Sequence, residues 1–526
     1  MKTVNALIVS IFLSWSTAHL SLLAQTAASA ELEVEVHDKA TNRMTPSRVY
    51  LLDDQGTLQV PEGAVSYEKY QEHHFVTRGH FRLALSPGRY RLRVERGPEY
   101  RMWSNTVELA AHQHKLQRVE LERWIDMNGQ GWWSADLHNH RRIEEMPDLL
   151  LAEDLNLAPT LSDWIWEEKA ISRPPQTEEA VRQVTPHHVY SVLDKEVERL
   201  RHGPGAVDLL ALQTPIPFDG NWLFPPSDRF CQLAHDQGGY VDAEKILWRD
   251  VAALVALGHV DFAGIVHNHF NRHGVEVDTE GWGMIPKYRP EFNTKAGMPL
   301  WAMDVYYKFL NCGFRLPVSA GSASGVKAAP LGYNRVYAKL DTSFSYANWF
   351  AALKAGRNFA TNGPMLFLKV NSREPGDTLR FPRAATLRIE AEALSDVPLD
   401  RLEVLFKGQV VKSIRSHDDG KRLKLRLRLT AQESGWVAAR CFEPIGTTIR
   451  FAHTSPVYVQ VGQDKGVVAD DARFFLDWID REMNFYRTEE RFRKPEHRTA
   501  MLEFFASARN VYEELARSVP ERTEAR

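Results

Sequence analysis

An α/β fold with β-rich flanks is what this chain predicts, and three observations carry the prediction. Between residues 128 and 365, strand-like and helix-like segments alternate, with glycines closing several of the helix-like ones. On both sides of that stretch, apolar residues instead recur at every second position, the period of half-buried strands. And 526 residues exceed what one hydrophobic core holds, so several domains are required.

The elements follow in chain order. Lys2, the apolar run LIVSIFLSW and the small residues Ala28-Ser29-Ala30 read as a cleavable secretory signal over 1–30, which places the mature protein in a secreted or periplasmic setting. An uncleaved anchor is the alternative, although Ser, Thr and His interrupt residues 14–19. No later segment reaches a spanning length, so no membrane insertion is expected after cleavage.

Residues 31–127 predict a small antiparallel sandwich. In FRLALSPGRYRLRVERGPEY, Phe81, Leu83 and Leu85 and then Tyr90, Leu92 and Val94 alternate around Ser86-Pro87-Gly88, which predicts a hairpin with one buried face. From 128 to 365, SADLHNH precedes the helical MPDLLLAEDLNL. VDLLALQTPI precedes SDRFCQLAHDQ, VDFAGIVHNH follows RDVAALVALG, and SYANWFAALKAG closes the segment. Repeated βα units of this kind imply a parallel sheet, closed as a barrel or, as the second choice, open and doubly wound. Residues 366–465 return to alternation, with Leu423, Leu425, Leu427 and Leu429 on one face, and predict a second sandwich. Residues 466–526 predict a helical tail whose Phe474, Phe475, Trp478, Ile479 and Met483 pack at helical spacing.

Composition narrows the function. A net charge of -3 leaves no electrostatic footprint for nucleic acid. Three dispersed cysteines, Cys231, Cys312 and Cys441, are neither a disulfide scaffold nor a cysteine zinc site, so any metal ligands must be His, Asp and Glu.

Such residues recur at strand ends. His138 and His140 close WWSADLHNH; in a strand, residues two apart face one side, about 6–7 Å from one another. His267 and His269 repeat the pattern after VDFAGIV. Asp163 ends APTLSD, Asp242 and Glu244 end GGYVDAE, and Glu196 lies in LDKEVERLRHG, a helix or a strand edge. Each carboxylate alone could equally be a surface or capping residue. The four histidines together point to a divalent metal at the carboxyl ends of strands, where parallel barrels build their sites. Arg141 and Arg142 follow the first pair, placed either to grip an anionic substrate or to end a solvated loop. Trp132, Trp133, Trp164 and Trp166 could stack on a glycan-linked ligand, or simply pack.

WWSADLHNHR, the βα units after it, LPVSAGSASGV with PLGYNRVYAKL, and GRNFATNGPML resemble the PHP-like (polymerase and histidinol phosphatase) metallohydrolases of the CehA/McbA type, over about 128–365. The resemblance implies a distorted (β/α)7 barrel, and its flanking sandwiches, the first like a carboxypeptidase regulatory domain, are common attachments of secreted relatives. It implies one or two ions of zinc, manganese or iron held by His138, His140, Glu196, Glu244, His267 and His269. It also implies hydrolysis of an ester, amide, carbamate or phosphoester of a small-molecule or glycan-linked substrate through a metal-bound hydroxide, with Asp163 and Glu196 as catalytic carboxylates and Arg141 against substrate. The chain departs from the pattern in three places, in one of which Asp242-Ala243-Glu244 stands where the family has a His-Pro motif. Trp164 stands where the second motif has histidine, and Gly321-Ser322-Ala323-Ser324-Gly325 carries neither acid nor imidazole where the last motif has both. Those departures keep a second reading open: a non-catalytic extracellular binding protein on a degenerate barrel.

Overall fold

The computed structural model describes residues 29–199, 203–277, 284–417 and 420–518; the predicted signal segment up to residue 28 lies outside them. The protein is a mixed α/β chain of several sheets. It divides into two compact units: residues up to 68 with 73–125 and 151–154, and the remainder.

The first unit contains a three-stranded sheet in which Ala30–Asp38 lies between His80–Leu85, antiparallel to it, and His114–Leu121, parallel to it. A second sheet runs Ser66–Lys69, Glu72–Thr77, Ser47–Leu52, Gly88–Glu95, Trp103–Leu109. Leu32, Val34 and Val36 share a core with Val49, Leu51, Leu92 and Val94. Both strands around Ser86-Pro87-Gly88 form, yet they do not make the expected hairpin. His80–Leu85 pairs with Ala30–Asp38, whereas Gly88–Glu95 pairs with Ser47–Leu52 and Trp103–Leu109. Phe81 and Leu85 thus enter the core from one sheet, and Tyr90, Leu92 and Val94 from the other. The turn is a corner, tied by the Tyr90 hydroxyl donating to the Ser86 carbonyl at 2.8 Å.

In the second unit the helices lie where the apolar periodicity places them: α1 Met146–Ala152, α2 Asp228–His235, α3 Val251–Ala256, α4 Gly297–Asn311, α5 Tyr346–Lys354, α6 Ala469–Thr488 and α7 Pro495–Arg517. Ser345 caps α5 by accepting from the Asn348 amide, and Gly356, at φ 75°, turns the chain out of it. The helical tail folds back on the unit. Phe475 of α6 stacks on Phe309 of α4 with ring centres 4.1 Å apart, and the Tyr512 hydroxyl of α7 donates to the Ala252 carbonyl at 2.8 Å.

The strands that position the site are β1 Trp132–Ala135, β2 Asp163–Trp166, β3 Lys195–Arg199, β4 Gly205–Leu210, β5 Tyr240–Ala243, β6 Phe262–Val266 and β7 Val318–Ala320. Strands β2 to β7 form a sheet in chain order, edged by Lys169–Ala170. The sheet is not uniformly parallel: β4 runs antiparallel to both β3 and β5, while the β2–β3, β5–β6 and β6–β7 pairs are parallel. Only residues 200–204 separate β3 from β4, too few for the crossover a parallel pair needs. Strand β1 belongs to a twelve-stranded sheet that continues through Arg335–Lys339 and Asn358–Thr361 into Phe451–Thr454 and Gly435–Phe442. One layer of the expected C-terminal sandwich is therefore a continuation of this central sheet. Its other layer is the three strands Met365–Val370, Ala385–Leu394 and Arg422–Ala431.

Beyond β1, residues 136–140 run between the end of β7 and residues 157–161, which pair with β1 and lead into β2. On one side Leu137 N–H donates to Ala320 O at 3.1 Å, Ala323 N–H to His138 O at 2.7 Å and His140 N–H to Ser324 O at 2.7 Å. On the other, Asp136 N–H donates to Leu157 O at 3.3 Å and Leu161 N–H to Asn139 O at 3.0 Å. Among the described helices none is long and apolar enough to cross a membrane.

Candidate metal centre

The hydrogen-bonded placement of 136–140 aims both imidazoles of the first pair at one carboxylate. His138 Nε2 and His140 Nε2 lie 3.0 Å apart, and Glu196 Oε2 lies 3.0 Å from His140 Nε2 and 3.7 Å from His138 Nε2. These three residues each offer a donor atom to a common point, all within 4.8 Å of one another. Strand register supplies the rest of the face. Trp164 stands opposite Glu196 across β2–β3, Glu196 opposite Asp208 across β3–β4, and Asp208 opposite Asp242 across β4–β5. Period-two alternation then brings Glu198 and Glu244 to the same side.

His138 is also held from behind. Its Nδ1 lies 3.3 Å from Asp208 Oδ2 and 3.5 Å from Glu244 Oε1, which leaves Nε2 as the nitrogen facing His140 and Glu196. Asp136, two residues before, accepts backbone N–H groups from Gly332 at 2.7 Å, Ser322 at 2.9 Å and His138 at 3.2 Å, and so locks the strand end to the loop beneath it. That loop is Gly321–Gly325. A Cβ at Gly321 would overlap the His138 side chain, and one at Gly325 would stand 2.7 Å from the His140 carbonyl oxygen. The segment that lacks acid and imidazole is a backbone cradle for the His-x-His pair, and its small residues are what the close approach requires.

The electrostatics are those of an acidic cluster kept from water. Burial, and then the Glu244 charge, push Glu196 well above the ordinary carboxylate range; burial, Glu196 and Glu244 do the same to Asp208. Burial and then Glu196 push Glu198 up to about 8. Burial holds His140 down at about 4 and pulls His138 well below the ordinary imidazole value. Neutral imidazole is the form that donates a lone pair to a metal, and a dication among the carboxylates would reverse their mutual repulsion. Glu196 Oε2 and both Asp208 oxygens are buried without a hydrogen-bond donor. Orphaned carboxylate oxygens beside two neutral imidazoles fit a divalent cation.

The remaining expected residues fall in different places. His267 and His269 lie at the end of β6, buried, with ring centres 5.4 Å apart, and outside the three-residue donor set. Glu244 is engaged by protein donors: Lys245 Nζ and Asn268 Nδ2 (3.1 Å) on Oε1, Trp248 Nε1 (2.8 Å) on Oε2. Asp163 is not brought to the cluster. It pairs with Lys195 across β2–β3 and accepts from its Nζ at 2.6 Å. The pair lies on the face opposite Trp164 and Glu196, in a groove of about 780 Å³ with Ile165, Pro215 and Phe218. Arg141 is buried, and its Nε donates to the half-buried Glu145 at 2.9 Å. Trp164 packs its ring 4.6 Å from His140, donates from Nε1 to Glu198 at 3.1 Å, and is followed 5.5 Å on by the half-exposed Trp166.

Asp208, Glu198 and Lys245 were not among the expected site residues. Asp208 had a signal: it is the lone charge inside the apolar run AVDLLAL, all of whose β4 residues are buried.

No protein-family model matches the chain, and no curated protein matches it. Among solved structures it is similar over short stretches to the Bacillus anthracis TIE protein, at 16% identity over 21% of this chain and 19% of that one, with a TM-score of 0.15. Phospholipase PlaB from Legionella pneumophila aligns at 16% identity over 19% of this chain and 26% of its own, with a TM-score of 0.14. The chain therefore spans about a fifth and a quarter of these proteins.

Proposed function

We propose that the protein is a secreted or periplasmic metal-dependent hydrolase of an ester, amide, carbamate or phosphoester, built on a distorted PHP-like barrel. The observation that carries this is the convergence of His138 Nε2, His140 Nε2 and Glu196 Oε2 on one point, supplied by the segment beyond β1 and by strand β3. The barrel reading is supported by residues 136–140 lying between the end of β7 and residues 157–161, which lead into β2.

His138, His140 and Glu196 would hold the ion. Such an ion polarises the scissile oxygen and lowers the pKa of water from 15.7 to about 7. Asp208 stands 3.3 Å from His138 Nδ1, a carboxylate that would accept from Nδ1–H once an ion is held at Nε2 and so fix that tautomer. With Asp163 committed to Lys195 on the far face, Glu196 is the expected carboxylate left to move a proton. Trp164 and Trp166 wall the His140 side, exclude water and offer ring faces to an apolar or sugar part of the substrate.

A second reading, a binding protein without catalysis, is favoured by the same Trp164, whose ring fills the space beside His140 where another ligand would stand. Elemental analysis separates the two. The hydrolase requires bound transition metal that falls sharply in His138→Ala, together with turnover of one of the p-nitrophenyl acetate, carbamate or phosphate esters. Absence of metal from the wild type as well as the variant refutes it in favour of the binding protein.

A further inference from the structure

We infer that Lys245 occupies the place of a second cation, so that this centre takes one divalent ion per chain. The inference rests on the metal-site reading above and adds its nuclearity.

Lys245 is 2% exposed, and its ammonium sits against Glu244 Oε1 and 4.8 Å from the centre of the Trp248 ring. A buried ammonium persists only where fixed negative charge and hydrogen bonds replace its water. Here they come from the carboxylate that would otherwise have been the natural ligand of a second ion. With Asn268 on the same oxygen and Trp248 Nε1 on the other, both Glu244 oxygens already accept from protein donors. The charge count agrees. Three carboxylates, Glu196, Asp208 and Glu244, lie within 4 Å of the His138 or His140 nitrogens. One ammonium and one dication balance them. A second dication would leave a buried excess of two positive charges on these groups, which the low-dielectric interior opposes. The first ion needs only His138, His140 and Glu196, whereas the lysine's hydrogen bond goes to Glu244.

The test is the metal content and spin state of the full-length protein, loaded with Mn²⁺ and separately with Zn²⁺ and freed of unbound metal by gel filtration. The expected result is close to one equivalent of either metal, with a six-line Mn²⁺ spectrum free of exchange coupling. Lys245→Met, which releases Glu244, should rise toward two equivalents, while Lys245→Arg, which keeps the charge, stays at one. Two equivalents or a coupled spectrum in the wild type overturns the inference while leaving the metal site intact. Lys245→Met that keeps its circular dichroism and remains at one equivalent overturns the role of the lysine. If that variant does not fold, the wild-type stoichiometry and spectrum decide alone. No metal in any sample removes the metal site itself, a different failure.

Discussion

Gly325→Ala isolates the cradle under the histidines. Gly325 has φ 105°, and a Cβ there would lie 2.7 Å from the His140 carbonyl oxygen and 2.8 Å from its carbon. Ordinary contact begins near 3.4 Å, so the His140 backbone must retreat by 3.4 − 2.7, or 0.7 Å. Positive φ alone costs a non-glycine residue about 1–2 kcal/mol, and overpacking a fitted site adds about 1–3 kcal/mol. Gly238→Ala is the matched control, because Gly238 has φ 78° with nothing within 4 Å of its Cβ position. Both variants should lose the backbone term; only Gly325→Ala should also lose the packing term and move a metal ligand. Displaced support of a ligand typically lowers metal affinity about 10–100-fold. Urea melts of metal-free protein and calorimetric Zn²⁺ titration read the two effects separately. Equal Zn²⁺ affinity in the two variants would refute the claim that the Gly321–Gly325 loop positions His140.

Further expectations concern other parts of the second unit. Asp163→Ala leaves Lys195 buried without its partner and should destabilise by about 3–5 kcal/mol, yet leave Zn²⁺ affinity unchanged because the pair faces away from the cluster; a calorimetric loss of affinity would put Asp163 back in the site. Phe475→Ala removes a fully buried ring stacked on Phe309 and should cost about 3–5 kcal/mol in urea melts; a loss below 1 kcal/mol would show that the tail is not docked. Burial pushes Asp250 up to about 7, against an ordinary 3.8, so the folded chain binds that proton more tightly than the unfolded chain. Its contribution is therefore complete below pH 3.8 and is lost as pH rises through about 7. Urea midpoints measured at pH 4.5 and 7.5 should fall less steeply in Asp250→Asn than in the wild type, and an unchanged slope refutes the assignment.

What could be read from the sequence was whatever local chemistry fixes. Helix α5 was legible from the apolar run SYANWFAALKAG and the glycine that closes it, because periodicity and end signals act within a few residues. Strand partners were not. The alternation of Phe81–Leu85 and Tyr90–Val94 fixes which side chains are buried, but it is the same for a hairpin and for a corner between two sheets. The continuation of the central sheet into Phe451–Thr454 was hidden for the same reason, since pairing between residues as distant in sequence as Phe359 and Thr454 leaves no local trace. In the site, the His-x-His pair was visible because two imidazoles ended an apolar strand. Asp163 misled by the same rule: it also ends an apolar stretch, but the next residue, Trp164, takes the face toward Glu196. Asp208 was passed over because one acid in an apolar run looks like an interruption until β3 and β4 set Glu196 opposite it.

The central claim is that two imidazoles and a carboxylate grip one ion, and zinc K-edge X-ray absorption on the Zn²⁺-loaded chain tests it most directly. The account predicts a nitrogen and oxygen shell at about 2.0–2.1 Å with outer-shell scattering from two imidazoles, and loss of that scattering in His138→Ala. Bound zinc whose spectrum contains no imidazole, or is unchanged by the substitution, would contradict it.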